Sequence, residues 1–320
     1  MQIMQKVSIE EPDRPDLRYL FAKIAQGQGR LFDAWTHATI GEKGTPPNQW
    51  DPKYTKHMLD MLARLKASVA DQRGDWATSE KLHFTLAREG LRTPEVFVAL
   101  GRAAFFQDRP EDAIKYFHRA AQSKSAEIVP ELMMASLYDQ KQDFEKTEEW
   151  FKKGNAAGAE TADRIRTEYS RWLLRQNRSQ DARQVATRFK PSEKKRDELA
   201  YLVALCDRME GKFSAAEKLL SRLNQKNPKS FAIANQLALV LVESTDEGKR
   251  GRAMQLAATN LRNFPNSVDA LTTYGWVQYR LGDSTGAAQT FNRVLQGGQA
   301  SRDTAFYVAQ IKYSDGQDEG

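Results

Sequence analysis

The chain has 320 residues, 48 Lys and Arg against 42 Asp and Glu for a net charge of +6, and a single cysteine. One Cys excludes a disulfide framework and any multi-cysteine zinc site, and nowhere does an apolar run approach the roughly 18 residues that would cross a bilayer. A mean hydropathy of −0.67 is low for one compact globule of this length and points to an elongated chain with much surface per residue.

Residues 1–14 lack the apolar core of a secretory signal and read as a poorly ordered N-terminus. Residues 15–59 read as an N-terminal helical pair and linker. Phe21, Ala22, Gly29, Ala34 and Pro46 make this pair a possible degenerate repeat, and the Gly- and Pro-rich stretch 44–54 is its loop. From there a period takes over. One column of small residues runs Ala67, Gly101, Ala135, Ser170, Ala204, Ala238, Gly275, Ala309, with steps of 34, 34, 35, 34, 34, 37 and 34. A second runs Ser79, Ala113, Thr147, Ala182, Ala216, Ala253, Ala287. The columns stay 12 apart except between Ala238 and Ala253, where the gap is 15, so three extra residues enter at Glu243–Gly251.

Such a period means a repeated supersecondary unit. Each unit reads as two helices that approach most closely at the small residues, since a larger side chain there would push the axes apart. Gly74, Asp108, Asn177, Gly211 and Gly282 mark turns. Pro110 marks a helix start, Ser214 with Glu217 has a capping-box spacing, and Pro228 and Pro265 act as stops. Seven repeats follow, at 60–93, 94–127, 128–162, 163–196, 197–230, 231–267 and 268–301, then a capping helix and tail at 302–320.

The stretches Leu100-Gly101 … Asp112-Ala113 … Phe117 … Ala120 and Tyr274-Gly275-Trp276 … Leu281-Gly282 … Ala287 … Phe291 resemble the tetratricopeptide repeat family. The resemblance covers about residues 60–316. Thr147, Ser170 and Glu131 depart from its commoner residues. It implies an all-α fold, a right-handed superhelical solenoid of helix-turn-helix repeats. It also implies a non-catalytic protein–protein interaction scaffold that binds a partner's peptide in a concave groove.

Nothing in the sequence assembles a catalytic constellation. None of the four histidines, His37, His57, His83 and His118, lies three or four residues from another, so no helical metal pair exists. His83 takes an inward place filled by Phe117 and Phe151 in the next units, which points to packing. Cys206 sits among Val203, Leu202 and Leu205, as a buried inert thiol would. No cofactor, metal or catalytic residue is expected.

In the resembling family the first helix of each unit lines the groove at positions i, i+4 and i+7. These places, with the basic side chains beside them, give Arg102, Phe105, Arg171, Arg175, Tyr201, Arg208, Asn235, Trp276 and Tyr279, with Phe306 and Tyr313 extending the last stripe. Arginine forks and rigid aromatic area are what anchors a peptide, so the expected partner offers acidic and aromatic residues. Phe105, Leu205, Leu239 and Tyr279 suit packing between first helices equally well. The places that bind chaperone tails in some relatives hold Arg64 and Ser68 here, which disfavours that role.

Residues 163–196 hold 11 Lys and Arg against 4 acids. This basic repeat could meet an acidic partner or, less readily, nucleic acid. A further alternative is a regulatory arm of a larger enzyme. With neither a signal nor a membrane-spanning segment, a cytoplasmic location is expected.

Overall fold

The structure, a computed structural model, describes residues 12–123, 127–155, 159–188, 190–298 and 300–317. Residues 1–11 of the stretch 1–14 read above as poorly ordered, and 318–320 of the tail, lie outside this range. Among the described residues there are seventeen α-helices and no strand. They fall into two compact units, Met1–Ala156 and Ala157–Gly320.

The first unit holds four antiparallel pairs: α1 (Pro15–Gly27) with α2 (Leu31–Lys43), α3 (Pro52–Arg73) with α4 (Trp76–Arg88), α5 (Pro94–Phe106) with α6 (Pro110–Ala121), and α7 (Pro130–Gln140) with α8 (Phe144–Gly154). The second unit holds α9 (Ala159–Arg175) with α10 (Ser179–Thr187), α11 (Arg196–Met209) with α12 (Phe213–Lys226), α13 (Phe231–Leu241) with α14 (Glu247–Asn263), and α15 (Val268–Arg280) with α16 (Ser284–Gln296). The helix α17 (Arg302–Gln317) follows them.

Local chemistry sets the ends. Proline opens α1, α3, α5, α6 and α7, where its fixed φ suits the helix and its missing N–H costs nothing. Aspartate carboxylates accept from the exposed amides of α4, α8, α14 and α16. Turns within pairs pass through left-handed residues: Gly74, Asp108, Asn177, Gly211 and Gly282, and also Gln142, which no sequence signal marked. Two local readings change. The linker ends at Asp51, whose carboxylate caps α3 by accepting from the Lys53 amide at 2.6 Å, so α3 begins inside the stretch 44–54. The capping box at Ser214 does not form, because α12 already starts at Phe213. Glu217 instead accepts from Lys249 Nζ at 2.8 Å.

The small residues lie where helices meet. All seven of the second column, Ser79 to Ala287, are fully buried. The first column is buried from Ala67 to Gly275. A Cβ at Gly101 would enter the Phe117 ring, and one at Gly275 would lie 3.0 Å from Phe291 Cε2. Ala309 on α17 is exposed, and no second helix partners α17 among the described residues. Large apolar side chains fill the remaining space, with Phe105, Phe117 and Met134 in the first unit and Leu220, Leu237 and Phe291 in the second.

In the second unit the first helices also touch in succession: α9 with α11, α11 with α13, α13 with α15, and α15 with α17. This ladder forms one continuous wall.

Candidate functional site

Side chains from that wall enclose a cavity of about 890 Å³. Tyr201, Leu205, Leu239 and Trp276 line it, together with the guanidinium groups of Arg171, Arg175, Arg208 and Arg280. Met209, Phe213 and Phe306 complete the apolar lining, and they remain 40, 37 and 58% exposed. The only carboxylates in the lining are Glu243 and Asp303, so four arginines face two acids.

Ion pairs hold several of these groups in place. Arg171 donates to Glu168 at 2.7 Å and to Glu198, which also accepts from Lys195 at 2.6 Å. Burial pushes the Glu198 carboxyl up, but the Lys195 hydrogen bond and the Arg171 charge outweigh it, leaving its pKa below the ordinary value. Glu243 accepts from Arg280 at 2.7 Å and from Trp276 Nε1 at 3.3 Å. Burial raises the phenol pKa of Tyr201 and Tyr307 despite the opposing charge of Arg208. Both phenols therefore stay protonated at neutral pH. Arg208 Nε is buried without a hydrogen-bond partner.

Six of the sequence candidates thus come together: Arg171, Arg175, Tyr201, Arg208, Trp276 and Phe306. Trp276 is only 6% exposed, so it serves as wall more than as free anchor. Tyr279 lines an adjoining cavity of about 530 Å³. Asn235 is buried, lies outside both linings, and keeps its Oδ1 unpartnered. Arg102 and Phe105 belong to the first unit. Phe105 is 2% exposed and meets Tyr138 edge to face at 4.8 Å, so it is core and presents no groove surface. Arg102 lies over the Trp76 ring at 5.8 Å.

Met209, Phe213, Glu243 and Arg280 were not singled out by sequence. Arg280 stands one turn after Trp276, a spacing that could have revealed it. Met209 and Phe213 flank the turn between α11 and α12, which a single-helix stripe does not reach. The side chain of Tyr313 lies outside the described residues.

Five of the eleven cations in the basic stretch 163–196 are held in ion pairs, some with carboxylates beyond it. Arg166 pairs with Asp163, Arg171 with Glu168 and Glu198, Arg178 with Asp181, Arg183 with Asp207 and Glu210, and Lys195 with Glu198. In the first unit His83 is buried, but its Nε2 donates to Asp71 Oδ2 at 3.0 Å, and Ser79 donates to the same carboxylate. With the carboxylate in the middle, the imidazole does not meet the hydroxyl, and the cluster lacks the order of a nucleophile triad. Among the described residues no helix is long and apolar enough to cross a membrane.

The geometry defines an all-α helical-repeat protein with a lined groove. Residues 246–302 match the family model of the tetratricopeptide repeat. This segment carries a tetratricopeptide-type repeat, a repeat that generally mediates protein–protein interaction. No curated protein matches the sequence. Three solved structures illustrate its similarity to others. The type IV pilus biogenesis factor PilW is 17% identical, covering 67% of this chain and 98% of its own, with a TM-score of 0.46. A tetratricopeptide repeat protein from Parabacteroides merdae is 14% identical, covering 79% and 98%, with a TM-score of 0.49. Yeast Tom70 is 11% identical, covering 99% and 85%, with a TM-score of 0.43.

Proposed function

We propose that the chain is a non-catalytic interaction scaffold that holds a peptide segment of a partner protein in the groove of its second unit, with residues 60–301 read as seven repeats. One observation carries this reading: the 890 Å³ cavity combines half-exposed Met209, Phe213 and Phe306 with four guanidinium groups. Exposed Met, aromatic and Arg side chains around one depression are the composition of an interface core. Covering the three apolar side chains is favourable by about 25 cal/mol per Å² removed from water. The arginines add planar donors that select carboxylates. The matching segment carries an apolar or aromatic residue with acids beside it.

Nucleic acid is the weaker reading, because Arg166, Arg171, Arg178, Arg183 and Lys195 of 163–196 are engaged in pairs that a phosphate backbone would have to break. The test is a pull-down with mass spectrometry using wild type, Phe306→Asp and Arg208→Ala, with Arg222→Ala as a control outside the groove. A partner recovered by wild type and the control but lost by both groove variants supports the reading. A partner kept by both groove variants ends it. Salt adds a second arm, since phosphate binding falls steeply between low and physiological salt.

A further inference from the structure

The connection between α13 and α14 spans residues 242–246, two more than the turns 210–212 and 281–283 of the neighbouring pairs. Ser244 and Thr245 of that connection join Tyr279, Arg280 and Ser284 around the second cavity, of about 530 Å³. Glu243, Trp276, Arg280 and Gln310 line both cavities, so the second opens beside the groove at Trp276. Its chemistry differs from that of the groove. Four hydroxyl groups and the guanidinium groups of Arg250 and Arg280 surround it, against one carboxylate, Glu243.

Glu243 is already engaged with Arg280 and Trp276. The two aspartates that begin the neighbouring helices are engaged as well. Asp246 accepts from the Lys249 amide, and Asp283 accepts from the Gly286 amide and the Gln278 side chain. Arg250 is anchored at one corner, where it donates to the Arg280 carbonyl oxygen. Its Nε is buried and has no acceptor. The Ser244 oxygen accepts from the Asp246 amide at 3.1 Å, which leaves its O–H to donate elsewhere. The lining thus carries one uncompensated positive charge, an unmet buried N–H and an excess of donors. A singly charged acceptor answers all three.

We propose that this cavity is a carboxylate subsite: it takes an Asp or Glu side chain of the segment held in the groove, with Arg250 as its charge partner and the hydroxyls of Ser244, Thr245 and Ser284 as further donors. The assignment rests on the peptide reading above. It gives the longer connection a purpose, since its Ser244 and Thr245 supply two of the donors.

Selection from phage-displayed random dodecapeptides tests it, with one library displayed internally and one with free C-termini. Wild type should select an aromatic or large apolar residue with an Asp or Glu at fixed spacing in both libraries. Arg250→Ala should keep the apolar residue and lose the acid. A selected peptide should bind Arg250→Ala, and the size-matched Arg250→Gln, at least 10-fold more weakly, with circular dichroism confirming that both variants fold. Replacing its acid by the amide should cost as much on wild type and nothing on the variants. An apolar consensus without a fixed acid, or an acid that Arg250 variants still select, overturns the subsite and leaves the groove standing. An acid preference confined to free C-termini overturns the side-chain assignment. Peptides indifferent to Phe306→Asp remove the groove itself, and the subsite with it.

Discussion

Tyr307 lies flat against Trp276, with ring centroids 4.3 Å apart and planes 17° from parallel. A hydrogen bond of 2.6 Å joins Thr272 and Thr304 between the same two helices. These contacts seat α17 on α15, which brings Asp303, Phe306 and Gln310 to the groove lining. The stack also hides the indole that sequence spacing offers as an anchor.

Tyr307→Ala should therefore loosen α17 before anything else. Removing a buried aromatic side chain costs about 3 kcal/mol or more, here concentrated in one terminal helix. Trp276 emission should shift to the red, read against a Trp276→Phe background. Proteolysis within 302–317 should accelerate while the remaining helices stay protected. Unchanged emission would contradict the stack.

Two glycine-to-alanine changes should have opposite signs. At Gly251, inside α14, a new Cβ meets nothing within 4 Å, so Ala should stabilise by about 0.5–1 kcal/mol through helix propensity alone. At Gly101 the Cβ would drive into the Phe117 ring. Overpacking of about 1–3 kcal/mol should exceed the propensity gain. Urea midpoints of the two variants, moving up and down respectively, check both.

Asp163 and Arg166 form an ion pair in which each residue is only 2% exposed. Asp163 also accepts from the Ser192 amide at 2.7 Å, which fixes the connection leading to α11. Asp163→Asn should cost about 1.5–3 kcal/mol, because it removes the charge that Arg166 pairs with and weakens the acceptor of the Ser192 amide. A loss below ~1 kcal/mol in chemical denaturation would show that the pair is solvated.

Burial pushes the Cys206 thiol up to about 11. At pH 8 the native thiol should react with a disulfide reagent more than ~100-fold slower than in denaturant. Between the ordinary cysteine range, about 8.5, and 11, the folded chain keeps a proton that the unfolded chain releases. Stability should accordingly fall as pH rises through that window. Cys206→Ala should flatten part of the slope, and an unchanged slope would place the thiol in water.

The helix pairs were legible because close approach leaves a local mark: one small residue, again and again, at nearly constant spacing. Left-handed turn residues within the pairs were legible where they are Gly, Asp or Asn, as at Gly74, Asp108 and Asn177, and not at Gln142, whose side chain carries no turn preference. Burial of a groove candidate is a different kind of property. Phe105 and Phe306 are both aromatic, yet one is buried against Met134 and Tyr138 and the other is open. What decides is the neighbouring helix, which spacing within one helix does not report. The pairing of Arg183 with Asp207 crosses between helices in the same way, so a run of cations read as an open face. His83 had a visible clue in Ser79 four residues earlier, but the matching carboxylate, Asp71, comes from the preceding helix.

The extra residues within Glu243–Gly251 lengthen the chain across the connection and the first turns of α14, while Ala238 and Ala253 on either side stay wholly buried. Slack of this kind is absorbed outside the contacts that set helix spacing. Such joints are therefore natural places for lineages, or protein engineers, to splice in new recognition chemistry, much as a bracket can be bolted to a rail without recutting it.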